Sequence, residues 1–404
     1  MATSGRRLLI AVLGVALAST LGCSSAPHLP TATADSSASP SLHPRPTRPG
    51  PGTGTGPDAT TFCRAALPAD WQRAQTSGAL TAASGETLDP IAVAPDGKSV
   101  FAVSRAAGAP ALVWLREHGT RRTTVHTAAH PERGGFGLAD FDGRWLVFSV
   151  LHSNDIASKW DLYAWDSVSG GAPRRIAQSA LGPDGAVVPG PFLYPWVHRG
   201  RATWVQAVGD GTRNQKLSDI QRQVHLYDLA TGSDRIVRSG HMAPSFFAGE
   251  TVVWPEAFAM DTPVKLAAAD AAGNPVQLPA ALSAAEGSPS PASDGTTWAW
   301  TGADRRTLYA WRAGWAAPAV VVRGESIDWV RVASDVITWT DPVATWGADV
   351  RTRAYTQLTA QHGGSISHGR AVAVSQPAAD GRPAGYVLSG ADLAPLSCDD
   401  ARTP

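Results

Sequence analysis

The chain of 404 residues offers few side-chain sets whose spacing commits them to a reaction. His126 and His130 are four residues apart, a spacing that turns two rings to one side of a helix, as a metal site requires. They fall instead in a strand exit and the loop after it, without the carboxylate pattern of an HExxH sequence. His362 and His368 flank a Gly-Gly pair and read as exposed loop histidines. No Gly-x-Ser-x-Gly sequence supplies a nucleophile elbow, and a Ser-His-Asp set would have to be assembled from distant loops. Asp140 and Asp142 are close enough for calcium or glycoside chemistry, yet they open a turn, where aspartates bond their own backbone. A DxDxDG calcium loop is absent. Neither a metal nor a cofactor is expected from these sets. Along the innermost strands only His198, Asp328 and Arg331 stand out as polar candidates, too few to define a reaction.

The tryptophans divide by position. Trp254, Trp300 and Trp339 recur at one place in successive repeats, which predicts packing between repeats. Trp160, Trp196 and Trp346 fall in or near loops, where an indole offers apolar area and a donor to a partner.

The elements that must position these residues are strands. Residues Phe136–Ala177 contain four: Phe136–Phe141, Arg144–Leu151, Asp161–Asp166 and Arg174–Ala177, with Asp142-Gly143 as the first turn. A sheet of this size cannot cover both faces alone and needs neighbours of its own kind. The chain supplies them. Strands following a turn recur seven times, from Lys98, Arg144, Arg201, Glu250, Thr296, Asp335 and Arg370. A second ladder begins at Ala111, Asp161, Gln223, Lys265, Thr307, Val350 and Ala384. The period averages about 45 residues, that of four-stranded propeller blades. The fold class is therefore all-β, a seven-bladed β-propeller, with six or eight blades as the alternatives. Thr81–Asp89 could supply an outer strand to the last blade.

The turn Ala94-Pro95-Asp96-Gly97-Lys98 and the strand with its exit turn Val224–Gly232 resemble those of TolB-like propellers. Trp165-Asp166 falls where WD-repeat proteins end a third strand. The resemblance spans nearly all of residues 85–398 and implies a fold, not an activity. Ser293–Trp298 resembles the Asp box of sialidase propellers but lacks one residue of it and falls in the wrong turn, so it reads as a β-turn.

The N-terminus reads as an address. Arg6 and Arg7 precede an apolar run, Leu8–Ala18, too short to span a bilayer as a mature helix. Thr20-Leu21-Gly22-Cys23 resembles the lipobox of bacterial lipoproteins, with Leu21 two residues before the cysteine where the family prefers three. The resemblance implies lipidation of Cys23 and a cell-membrane anchor on the extracytoplasmic side. Arg6-Arg7 suits either the twin-arginine or the general secretory route. Residues 1–23 are thus a signal peptide. Residues 24–60, rich in Ser, Thr, Pro and Gly, form a disordered tether with an r.m.s. reach of roughly 30–35 Å. Residues 61–404 form the propeller domain. If Cys23 carries lipid, Cys63 and Cys398 remain as an even pair at the two ends of the folded region, and outside the cytoplasm they are expected to bond.

Formal net charge is zero, so no basic face invites nucleic acid. The remaining signal is loop length. His152–Trp160 in blade two and Gly209–Arg222 in blade three exceed what a hairpin needs. Asn154, Asp155, Trp160, Asp210, Arg213 and Asn214 are the binding candidates there. The sequence predicts a membrane-anchored module that binds an unknown envelope protein or small ligand. The alternative is an extracytoplasmic hydrolase, lactonase or lyase with its site at the channel mouth.

Overall fold

A computed structural model of the protein describes residues 61–398, apart from positions 84, 184 and 325 and the segments 107–108, 129–134, 154–157, 189–193, 209–219, 257–264, 284–290, 378–382 and 391–392. The expected signal peptide, Cys23 and the expected tether therefore lie outside the described residues.

Strand pairing is set by aspartates that close the turns. Asp142 Oδ1 accepts the backbone N–H groups of Arg144 and Trp145. Asp228 does the same for Ala230 and Thr231, and Asp294 for Thr296 and Thr297. Asp96, Asp304 and Asp341 repeat the device. Each such bond satisfies donors that the turn takes out of the ladder.

Among the described residues the strands form seven sheets. Blade one is Thr87–Val93, Ser99–Arg105, Ala111–Arg116 and Arg121–Thr127. Blade two is Gly135–Phe141, Trp145–Leu151, Trp160–Asp166 and Arg174–Gln178, within one residue of the sequence reading at each end. Blade three is Trp196–His198, Arg201–Ala207, Arg222–Asp228 and Asp234–Gly240. Blade four is Phe246–Ala248, Thr251–Pro255 and Leu266–Ala269. Blade five is Ala292–Ser293, Thr297–Thr301, Thr307–Arg312 and Ala319–Arg323. Blade six is Asp328–Ala333, Val336–Thr340, Thr345–Asp349 and Ala354–Thr359. Blade seven is Gly364–His368, Ala371–Pro377 and Pro383–Ser389. Every inner strand contacts the inner strand of the next blade, and blade seven returns to blade one, so the ring closes.

The core lies between blades. Trp254 packs on Val205, Val224 and Leu226 of the preceding blade. Trp300 packs with Phe246, Val253 and Ala268 of blade four, and Trp339 with Ala299, Leu308 and Ala310 of blade five. All three are at least nine-tenths buried, as their recurrence predicts. Trp204 in blade three and Phe148 in blade two face their preceding blades in the same way. Burying an apolar side chain of such size contributes about 1.5–3 kcal/mol, so the ring is held by seams of comparable strength.

Blade six corrects the reading of its third strand. That strand is Thr345–Asp349, and the stretch from Val350 is a turn leading into the fourth strand. Gly347 hid the alternation. A Cβ there would lie 3.1 Å from Leu358, so the strand carries glycine where its neighbour needs room.

The ring is closed at one place by both ends of the described chain. Cys63–Arg64 adds to the outer edge of blade six, parallel to Ala354–Tyr355. The helix Ala69–Ser77 (α1) follows, with Pro68 extended at its N-cap and Asp70 in its first turn. Trp71 of α1 is fully buried, packs with Leu393 and Leu396, and its Nε1 donates to Ala394 O at 2.8 Å. Gly78 ends the helix; a Cβ there would stand 2.0 Å from Val387 O, so only glycine fits. The chain then pairs with blade seven through Leu80 N to Gly385 O and Val387 N to Gly78 O. An N-terminal segment does supply the outer edge of the last blade, but it is residues 78–80. Thr87–Asp89 belong to the inner strand of blade one, because their apolar alternation continues into Ile91–Val93. Cys63 and Cys398 are bonded, 335 residues apart in sequence with Cα atoms at 5.8 Å.

One buried charge pair braces blade one. The Glu86 carboxylate, 5% exposed, accepts from Arg122 at 2.8 Å, from Ser104 and from Ala83 N at 2.8 Å. Burial alone would raise its pKa. The bonds from Arg122, Ser104 and Ala83 outweigh that and hold it at about 2.

Candidate functional site

The inner strands surround a channel, and the turns after them gather at one end of it. They approach closely: a Cβ on Gly295, whose φ is +96°, would lie 2.7 Å from Gly249 N. At this end lies a pocket of about 270 Å³ lined by residues of all seven blades. Asp142, Trp196, His198, Arg199, Asp294 and His368 give it its polar and aromatic character. A smaller chamber of about 30 Å³ adjoins it, between Asp140, Tyr194, Trp196, Arg331 and Ser367. Trp196 and Ser367 line both.

Two contacts cross the channel between blades that are not neighbours. Asp140 of blade two accepts from His368 Nδ1 of blade seven at 2.8 Å, and its other oxygen accepts Val197 N of blade three at 2.8 Å. Tyr194, just before blade three, lies with its ring centroid 6.5 Å from that of Trp329 in blade six.

His368 is therefore not an exposed loop residue. It ends the inner strand of blade seven with its side chain 11% exposed. Burial works against its protonation, but Asp140 and Asp142 outweigh that and raise its pKa above the ordinary histidine value. Asp140 is likewise a strand residue rather than a turn residue. Asp142 does close the turn, and its second oxygen accepts Gly200 N of the next blade at 2.7 Å. Burial raises the pKa of Asp294, against the backbone bonds that it accepts. His198 Nε2 is 3.1 Å from Glu250, beside Arg199 and Arg201 on the same carboxylate. Burial would raise Glu250, but His198, Arg199 and Arg201 hold it below the usual range. Sequence reasoning missed the His368–Asp140 pair because its members are 228 residues apart.

The arrangement can bind and orient a polar molecule, and a carboxylate-held imidazole can exchange a proton with it. The serines do not complete a nucleophilic set. Ser367 Oγ donates to Val332 O and Ser293 Oγ to Thr297 O, both at 2.8 Å. Among the described residues no group of three or more His, Cys, Asp or Glu side chains is placed to hold a metal.

The other sequence candidates scatter. Asp328 pairs with Arg305 and Ser326. Arg331 lines the smaller chamber. Trp196 lies on an inner strand and lines the channel. Trp346 lies within a strand, stacked on Trp339 with Nε1 bonded to Asp341. His126 sits among the rings of Phe136, Phe148 and Tyr163, and burial lowers its pKa. Trp160 opens the third strand of blade two, half-buried beside Val197 and Trp204 of blade three. Asn154, Asp155, Asp210, Arg213 and Asn214, with His130, lie outside the described residues.

No family model matches the chain, and no curated protein matches it. Solved structures do. An oligogalacturonate lyase from Vibrio parahaemolyticus is similar at TM-score 0.53 and 10% identity over 76% of this chain and 92% of that one. An oligogalacturonate lyase in complex with manganese gives TM-score 0.51 and 10% identity over 76% and 90%. A prolyl endopeptidase gives 0.51 and 12% over 81% of this chain, which spans half of the peptidase. At these identities the likeness shows the fold alone: a seven-bladed propeller.

Proposed function

We propose that this protein is an exported propeller lipoprotein of the TolB-like kind, anchored through lipid on Cys23, that binds a small polar ligand at the centre of its ring. The observation that carries the reading is the pocket of about 270 Å³ into which all seven blades bring residues. It approaches the size of small-molecule sites and combines Trp196 and Phe247 with a few charged groups, the mixture such sites use. The bonded pair Cys63–Cys398 supports an oxidising compartment. The rival reading is a hydrolase, lactonase or lyase acting at the channel mouth. The buried His368–Asp140 pair favours it, but the pocket serines already donate to backbone carbonyls.

Two variants test the reading. Cys23→Ser is expected to move the protein from the detergent phase to the aqueous phase on phase separation; unchanged partition overturns the anchor. His198→Trp fills the pocket from a partly exposed position. Wild type incubated with envelope extract is expected to retain a small molecule, detected by mass spectrometry after denaturation. The variant, melting at the wild-type temperature, is expected to lose it. Equal retention by both overturns the channel reading, and the loop 209–222 becomes the next place to test by replacing Asp210–Gln221 with a short Gly-Ser turn.

A further inference from the structure

Arg331 is a cation placed at the centre of the ring with much of its bonding capacity unused among the described residues. It lies on the inner strand of blade six, where two residues, Trp329 and Val330, face one partner residue, Trp339. This is a bulge, and bulges re-aim side chains. Trp329 at the bulge has φ +52°, a left-handed conformation that a bulky residue adopts only under constraint. The inner strands of blades one and two carry the same irregularity, between Pro90 and Ala92 and between Phe136 and Ala139. All three bulged strands line the small chamber.

Among the described residues, Arg331 spends one of the five N–H donors of its guanidinium, on Val330 O at 2.9 Å. Its carbon lies 5.3 Å from the Trp329 ring centroid. Among the described residues no carboxylate stands within salt-bridge distance of it. The nearest acidic influence, Asp140, is already shared between His368 and Val197 N. Burial lowers the pKa of Arg331, with Tyr194 and Asp140 acting in the opposite direction. A partly buried cation with no counter-ion among the described residues is costly, and the cost is recovered when an anion arrives.

We infer that the small chamber binds a carboxylate, held by the Arg331 guanidinium, and that the rest of the ligand extends into the adjoining pocket. The inference rests on the ligand-binding reading above and adds the ligand's class. Size supports a carboxylate. A water needs about 10–15 Å³, and the chamber offers about 30 Å³, room for the two oxygens of a carboxylate. Arginine's planar fork matches a carboxylate with two parallel bonds. Trp196 and Ser367 line both cavities, so one molecule can span them.

Calorimetric titration of the full-length protein with acetate, succinate and the neutral isostere acetamide tests this. Wild type is expected to bind the carboxylates and not acetamide. Arg331→Gln is expected to bind them on the order of ten- to a hundredfold more weakly, the range for losing a charged hydrogen-bond partner. Arg331→Lys keeps the charge without the fork and should fall between; it also controls for folding. Acetamide binding as tightly as acetate, unchanged carboxylate affinity in Arg331→Gln, or no titration by any probe each overturns the inference. If the envelope-derived ligand is lost by His198→Trp but kept by Arg331→Gln, the carboxylate assignment falls while the channel reading stands. If wild type retains nothing, the channel reading falls as well.

Discussion

Exchange of both Cys63 and Cys398 for serine is expected to cost up to about 6 kcal/mol and to lower the melting temperature by many degrees. The bond closes a loop of 335 residues, and the chain-entropy model assigns such a loop a stabilisation of roughly 6 kcal/mol. The effect is concentrated at the seam. Cys63 extends blade six, and Cys398 follows Leu393 and Leu396, which pack with Trp71. Arg351 and Leu396 N hold the fully buried Asp349 beneath them. Without the bond these segments are kept in place by packing and hydrogen bonds alone. Hydrogen exchange is therefore expected to rise first in α1 and at the edges of blades six and seven. A variant that melts with the wild type, or that opens uniformly, would remove the seam from its place in the stability of the ring.

Glu86→Gln is expected to destabilise the protein by about 3 kcal/mol at neutral pH. The carboxyl falls from an ordinary 4.5 to about 2 on folding, and each unit is worth about 1.4 kcal/mol. The sign follows from the depressed value. The folded state favours the ionised form, so the contribution is complete above about pH 4.5 and is lost as the pH falls through about 2. The difference in melting temperature between wild type and variant should be constant from pH 5 to 8 and shrink steadily below pH 4.5. A gap as wide at pH 2.5 as at pH 7 contradicts the assignment. Glu86 is 5% exposed and Arg122 30%, so solvent screens this pair little.

The fold was legible because its causes are local and repeated. Asp-Gly turns, alternating strands and the recurrent position of Trp254, Trp300 and Trp339 each lie within a few residues and reappear in blade after blade. Even so, glycine in a strand misled the reading of Thr345–Asp349, since Gly347 answers to Leu358 rather than to a turn. Helix α1 carried no repeat to announce it; a single buried tryptophan anchors it to the distant C-terminal segment. The centre of the ring was the least legible part. His368, Asp140, Tyr194 and Arg331 come from blades two, three, six and seven, and nothing in their local sequence marks them as neighbours. Arg331 could be picked out as a polar residue on an inner strand, but its lack of a counter-ion among the described residues is visible only in three dimensions. The loop candidates around Asn154 and Asp210 were chosen for length, a property that says where chain is spare and not what it touches.

The placement of the two bonded cysteines also imposes an order in time. Cys63 leaves the ribosome, or crosses the membrane, long before Cys398, because all seven blades lie between them. During that interval its thiol waits without its partner while the ring is still an open row of sheets. The sequence contains one other cysteine, Cys23, which could capture it in a premature bond. Attachment of lipid to Cys23 would remove that competitor chemically. Such a modification would then also protect the fidelity of the chain's last covalent step.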